Sequence, residues 1–105
     1  MIETREIDDM LVARVLRRRL DAEVAPDLKA ALIDLADAVP GRLVVDLGAV
    51  EFIDSSGLGA LVGVLKHCGA SERLELAGLS RPVRRVFDLT RMTGVFRIRE
   101  FAPAR

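Results

Sequence analysis

The sequence has no tryptophan, no tyrosine, one cysteine (Cys68) and one histidine (His67). A lone cysteine closes no disulfide within the chain, and with a single histidine it falls short of the ligand set of a zinc or iron-sulfur site, so no metal or cofactor is expected. Four phenylalanines offer little to stack on bases, and sixteen basic residues are balanced by sixteen acidic ones, so direct nucleic-acid binding is not expected. No apolar run approaches the roughly 20 residues that span a bilayer. The first ten residues alternate charged and apolar side chains where a signal peptide would carry an apolar core. A cytoplasmic protein without membrane insertion is expected. Low-complexity tracts, internal repeats and long linkers are also missing.

What is present fits one α/β domain over residues 1–105, with 50% hydrophobic and 30% charged residues. That length suffices for one layer of helices packed on a sheet. The zero net charge is unevenly spread: residues 1–54 hold 12 acids and 7 bases (−5), and residues 55–105 hold 4 acids and 9 bases (+5).

Residues 2–7 and 11–16 read as two strands joined through Asp8 and Asp9 in a tight hairpin. Pro26 sits where a first helical turn tolerates it, and Leu28, Ala31, Leu32, Leu35 and Val39 recur at the spacing of one helix face. Pro40 and Gly41 end that helix. Residues 43–47 are almost wholly apolar, as in a central strand covered on both faces. Residues 48–54 then read as a loop, and Ser55 or Ser56 as the cap of a second helix. That helix turns Leu58, Leu61, Val62, Leu65 and Cys68 inward and ends at Gly69 and Ala70. A strand over residues 74–77 follows, then a helix opened by Ser80 and Pro82, with Val83, Val86 and Phe87 inward and Gly94 as breaker. A last strand is expected at residues 95–98. The order β-β-α-β-α-β-α-β predicts a mixed sheet with helices packed against it.

The segment FIDSSGLGAL, residues 52–61, concentrates an acid, two hydroxyls and two glycines at a strand-to-helix junction. Helix capping explains one serine. A hydrolase elbow, G-x-S-x-G, is ruled out because Ile53 and Asp54 precede the serines by two positions. His67 would lie about 18 Å down the same helix from Ser55, too far to act as its base. A dinucleotide loop fits poorly because Val62 stands where the third glycine belongs, and a P-loop is excluded because no G-K-[ST] occurs, which leaves a small nucleotide-binding domain as a third reading. The remaining reading is a serine that carries phosphate at a helix N-terminus, where partial positive charge favours an anion.

At these residues the sequence resembles the STAS-domain anti-anti-sigma factors, antagonists of anti-sigma-factor kinases in bacterial partner switching. DSSGLGAL is similar to that family's phosphorylation loop, residues 44–68 to its strand-loop-helix, and LAGLSRPVRRVFDLTRMTGVFRI, residues 76–98, to its last strand, helix and strand. The resemblance implies a non-enzymatic switch. The unmodified protein would bind an anti-sigma factor, a GHKL-type serine kinase, and release the sigma factor; phosphorylation of Ser55 would end binding, and a phosphatase would reset it. It also implies that Asp54, Ser56, Gly57 and Leu58 shape the loop and partner surface, and that Asp21 stands near the phosphorylation site. Two departures bear on partner choice: Arg18-Arg19-Leu20-Asp21 replaces the family's Gly-Glu-Leu-Asp, and Val24 replaces a common threonine. Because STAS domains also serve transporters, a cytoplasmic accessory subunit of a lipid or anion transport system is the alternative.

Elsewhere, Arg81, Arg84 and Arg85 read as a solvated helix face before a docking face for an acidic partner, Arg17 to Arg19 as protection of an exposed strand edge before contacts to phosphates of a partner's nucleotide, and Cys68 as core packing before a redox sensor.

Overall fold

The computed structural model describes residues 1–69 and 72–104. The chain opens with a hairpin of β1 (Ile2–Ile7) and β2 (Met10–Val15), turned by Asp8 and Asp9. Asp8 adopts φ 56°, a left-handed conformation that tight hairpin turns use and that aspartate tolerates better than most side chains. Then come β3 (Arg19–Leu20), α1 (Ala25–Ala38), β4 (Arg42–Asp46), β5 (Phe52–Ile53), α2 (Ser55–His67), β6 (Leu74–Ala77), α3 (Arg81–Leu89), a 3₁₀ turn at Met92–Gly94 and β7 (Arg97–Arg99).

Five strands form the main sheet in the order β1-β2-β4-β6-β7, antiparallel at β1–β2 and parallel elsewhere. This is the expected mixed sheet and element order, apart from β3 and β5. These two pair in parallel as a separate ribbon, Arg19 opposite Phe52 and Leu20 opposite Ile53. The stretch 48–54, expected to be loop, therefore contains a strand; two residues are too few to show an alternation. The ribbon also corrects the expectation for Arg17 to Arg19. β2 is flanked on both sides by β1 and β4, so the edge these arginines adjoin is not that of β2 but that of β3, an outer strand of the ribbon to which Arg19 belongs, and the Arg18 carbonyl accepts the amides of Glu51 (2.8 Å) and Phe52 (3.1 Å).

Side chains alternate across each strand. Leu11, Ala13 and Val15, Leu43 and Val45, and Leu74 and Leu76 face one way and join Leu28, Leu32, Leu61, Val64, Val83 and Phe87 of the helices in a single core. β4 is central and buried on both faces, as expected, but helices cover only one of them. On the other, Ile7, Val12, Val44 and Ala77 cluster with Ala102 packed against them. Around that cluster Arg14 pairs with Asp46 (3.7 Å), and Glu75 takes both Arg42 (3.0 Å) and Arg99. The buried carboxylates thus keep counter-charges, without which burial would cost several kcal/mol.

Ser80 stands at the N-cap of α3 as expected, but its side chain does not bond the helix end: its Oγ donates to the Val50 carbonyl (2.6 Å), tying α3 to the segment before β5. α3 stops at Leu89, before Gly94, and Thr90 Oγ1 donates to the Val86 carbonyl (2.7 Å) at its end. Gly94 closes the 3₁₀ turn instead, and the last strand begins two residues later than expected. Gly69, with φ 76°, ends α2; Ala70 lies outside the described residues.

Candidate functional site

The site is set by how residue 54 turns the chain from β5 into α2. Asp54 is extended (φ −108°, ψ −174°), and its Oδ1 accepts the amides of Ser56 (2.9 Å) and Gly57 (3.0 Å). Asp54 is therefore the N-cap, which corrects the expectation that Ser55 or Ser56 fills that role. Both serines sit in the first helical turn, exposed, and neither hydroxyl hydrogen-bonds a described residue. The hydroxyls are left free for chemistry because a carboxylate does the capping.

Gly57 fixes this corner against β3. A Cβ at residue 57 would stand 2.2 Å from the Leu20 carbonyl oxygen, the same oxygen that accepts the Asp54 amide at 3.2 Å. Leu58 is half-buried: its amide bonds the Asp54 carbonyl (2.9 Å) and its side chain packs on the rim of the core.

Asp21 lies one residue beyond β3 as Asp54 lies one beyond β5, so the ribbon brings the two acids alongside each other. Oδ1 of Asp21 accepts the amides of Glu23 (3.2 Å) and Val24 (3.3 Å), and Oδ2 is 3.5 Å from Arg19 Nε. Val24 occupies the N-cap of α1 and gives no side-chain bond, so Asp21 closes the turn that Val24 cannot. An open groove of about 520 Å³ adjoins Asp21, its lining including Arg17, Arg18, Arg19, Glu23 and Asp27.

The fold thus gathers Asp21, Asp54, Ser55, Ser56, Gly57 and Leu58 at one corner. His67 stays at the far end of α2, where its Nε2 is 2.7 Å from Asp37 Oδ1. Sequence reasoning named Arg19 and Phe52 separately and missed that they meet beside this corner. The Arg19 guanidinium lies 4.0 Å from the Phe52 ring centre, and 39% of Phe52 is exposed. The signal was an aromatic two residues before an acid-serine motif, on a strand too short for a buried alternation.

Cys68 and the three α3 arginines sit as expected. Cys68 is buried in the core; burial pushes its thiol pKa up, the Arg73 guanidinium pulls it down and Asp37 adds to the rise. Arg81, Arg84 and Arg85 are exposed on α3, with Arg84 3.7 Å from Asp88 one turn on.

The STAS domain family model matches residues 1–102. The anti-sigma-B factor antagonist of Staphylococcus epidermidis is 31% identical to this chain over 100 residues, which cover 94% of this chain and 92% of that one. That of Listeria monocytogenes is 32% identical over 100 residues, 93% of this chain and 87% of that one. The crystal structure of an anti-sigma factor antagonist from Mycobacterium paratuberculosis matches with a TM-score of 0.82 and 27% identity, covering 94% of this chain and 84% of that one. No helix among the described residues is long and apolar enough to cross a membrane. With a family model spanning nearly its whole length and the same sheet and helices in a solved relative, the chain belongs to the STAS domain family.

Proposed function

We propose that this protein is an anti-sigma-factor antagonist whose binding to an anti-sigma factor is ended by phosphorylation of Ser55. The observation that carries the reading is the free, exposed Ser55 hydroxyl in the first turn of a helix already capped by Asp54. Relatives named anti-sigma-B factor antagonists at 31% and 32% identity support it, and favour it over an accessory role in transport.

In the unmodified state the corner of Ser55, Ser56, Gly57 and the rim of Leu58 is compact and close to neutral beyond Asp54 and Asp21, a surface that a partner can cover. A serine kinase of the GHKL type, the anti-sigma partner itself, transfers a phosphoryl group from ATP. The bond from Ser55 Oγ to the γ-phosphorus forms, the bond from that phosphorus to the ADP leaving oxygen breaks, and the hydroxyl proton passes to a base on the kinase. The product carries about −1.5 to −2 charges beside Asp54 and Asp21. Covering that cluster requires stripping its water, so the docked state is disfavoured. A phosphatase returns the serine. The protein performs no catalysis and works in the cytoplasm, where the sigma factor is.

The test is binding of the anti-sigma partner to Ser55→Ala and Ser55→Asp by calorimetry, since the chain has no tryptophan or tyrosine to report by fluorescence. Ser55→Ala should bind with or without ATP, and Ser55→Asp about tenfold or more weakly, a cost of about 1.4 kcal/mol. Equal affinities overturn the reading.

A further inference from the structure

Leu20 and Ile53 are paired across the ribbon and point into the core, at 0% and 4% exposure. Alternation therefore places Arg19 and Asp21 of one strand, and Phe52 and Asp54 of the other, on the outward face of the ribbon. Ser55 follows at the end of that face. A site phosphorylated here faces an electrostatic problem. Two carboxylates, Asp21 and Asp54, already stand at the corner, and Asp54 occupies the Ser56 and Gly57 amides that would otherwise receive an anion. A dianion added at Ser55 needs a cation from elsewhere.

Arg19 is placed to provide it. Its guanidinium lies on the Phe52 ring and leans toward Asp21, so it is directed along the ribbon toward the Asp54 end. The Asp21 contact is loose, 3.5 Å through Nε, with 61% of the Arg19 side chain exposed, and its two Nη groups have no hydrogen-bond partner among the described residues. From strand spacings, the Arg19 and Asp54 Cα atoms are about 8 Å apart, and an extended arginine together with a phosphoserine spans the further step to residue 55. Of the other arginines lining the groove, Arg18 is held by Glu51 at 2.7 Å, and Arg17 precedes β3, two residues further from the Asp54 end than Arg19. Phosphate also makes stronger charge-assisted pairs with guanidinium than a single carboxylate contact does, especially in bidentate geometry.

We propose that Arg19 is the receiver of the Ser55 phosphate: on modification its Nη groups leave the solvent side of Phe52 and pair with the phosphate oxygens, Phe52 serving as the platform on which the guanidinium slides. The consequence for the switch is that modification both adds charge and shifts the guanidinium off part of the Phe52 ring. The proposal rests on the reading of Ser55 as phosphoacceptor. It also gives a physical role to an arginine where the resemblance leads one to expect a glutamate, which would repel the phosphate.

The test uses full-length protein carrying phosphoserine at residue 55 by genetic encoding, so that no kinase is needed. The second pKa of that phosphoserine is read by ³¹P NMR titration in otherwise unchanged protein, in Arg19→Gln and in Arg19→Lys, with circular dichroism confirming that each is folded. Pairing with Arg19 should lower the pKa, so Arg19→Gln is expected to raise it by about half a unit, roughly threefold in proton affinity, with Arg19→Lys in between. A value unchanged by Arg19→Gln overturns the proposal. Failure of the phosphoacceptor reading shows up separately, as absence of phosphate on Ser55 after exposure to ATP and the host's kinases.

Discussion

The Leu20 carbonyl oxygen and the Cα of Gly57 are so close that a Cβ on residue 57 would come within 2.2 Å of that oxygen, and within 2.9 Å of the Leu20 Cβ. Backbone cannot yield as a flexible side chain would, so Gly57→Ala must push α2 off β3. The expected cost is about 1–3 kcal/mol, a drop in Tm of several degrees for a domain of this size. Thermal unfolding checks the stability. Because the same oxygen accepts the Asp54 amide, the variant should also bind the anti-sigma partner less well, in proportion to the displacement of Ser55.

Asp54→Ala removes the cap and should destabilise by about 1 kcal/mol, while Asp54→Asn should recover most of the loss. Hydrogen exchange by NMR offers a local readout: the Ser56 and Gly57 amides should lose protection in Asp54→Ala, with amides of the central strands much less affected. Loss of protection confined to other residues would contradict the assignment of Asp54 as cap.

Glu75 is buried between Arg42 at 3.0 Å and Arg99, while both arginines remain more than a third exposed. Water reaches the guanidinium groups when the acid is removed, so Glu75→Ala should cost about 1–3 kcal/mol, less than breaking a fully buried pair. Glu75→Gln, which keeps an acceptor, should cost less. Urea unfolding of the two variants measures the difference.

Burial raises the Cys68 thiol pKa in the folded state. Its proton is therefore lost at lower pH from the unfolded chain than from the folded one. The stability linked to Cys68 should be fully present below the ordinary thiol range and should fall as pH rises through that range to the folded pKa. With no tyrosine and two lysines, Lys29 and Lys66, few other groups titrate nearby. Urea midpoints followed from neutral to alkaline pH should fall more steeply for the unmodified protein than for Cys68→Ala. Parallel slopes would contradict a buried, neutral thiol.

The main sheet was legible because Leu11 to Val15, Leu43 to Leu47 and Leu74 to Ala77 are runs long enough to carry a pattern, and because Pro26, Pro40 and Gly69 punctuate the helices. The corner at Ser55 was legible as a motif but not as geometry. Serine and aspartate are equally good caps, so the string Asp54-Ser55-Ser56 could not say which one accepts the amides; the backbone angles of Asp54 decide it. β3 and β5 were hidden by their length, and with them the stacking of Arg19 on Phe52, a contact between residues 33 positions apart in the sequence. Ser80 opens α3 as its position suggests, yet its hydroxyl donates to the Val50 carbonyl and not to the helix end, a tertiary contact that local sequence does not encode.

The most direct measurement is to incubate the protein with ATP in lysate of its host, recover it and map phosphate by tandem mass spectrometry. The account expects phosphate on Ser55 and its loss in Ser55→Ala. Phosphate on Ser56 alone, or none in a lysate whose kinases demonstrably act on other substrates, would contradict it.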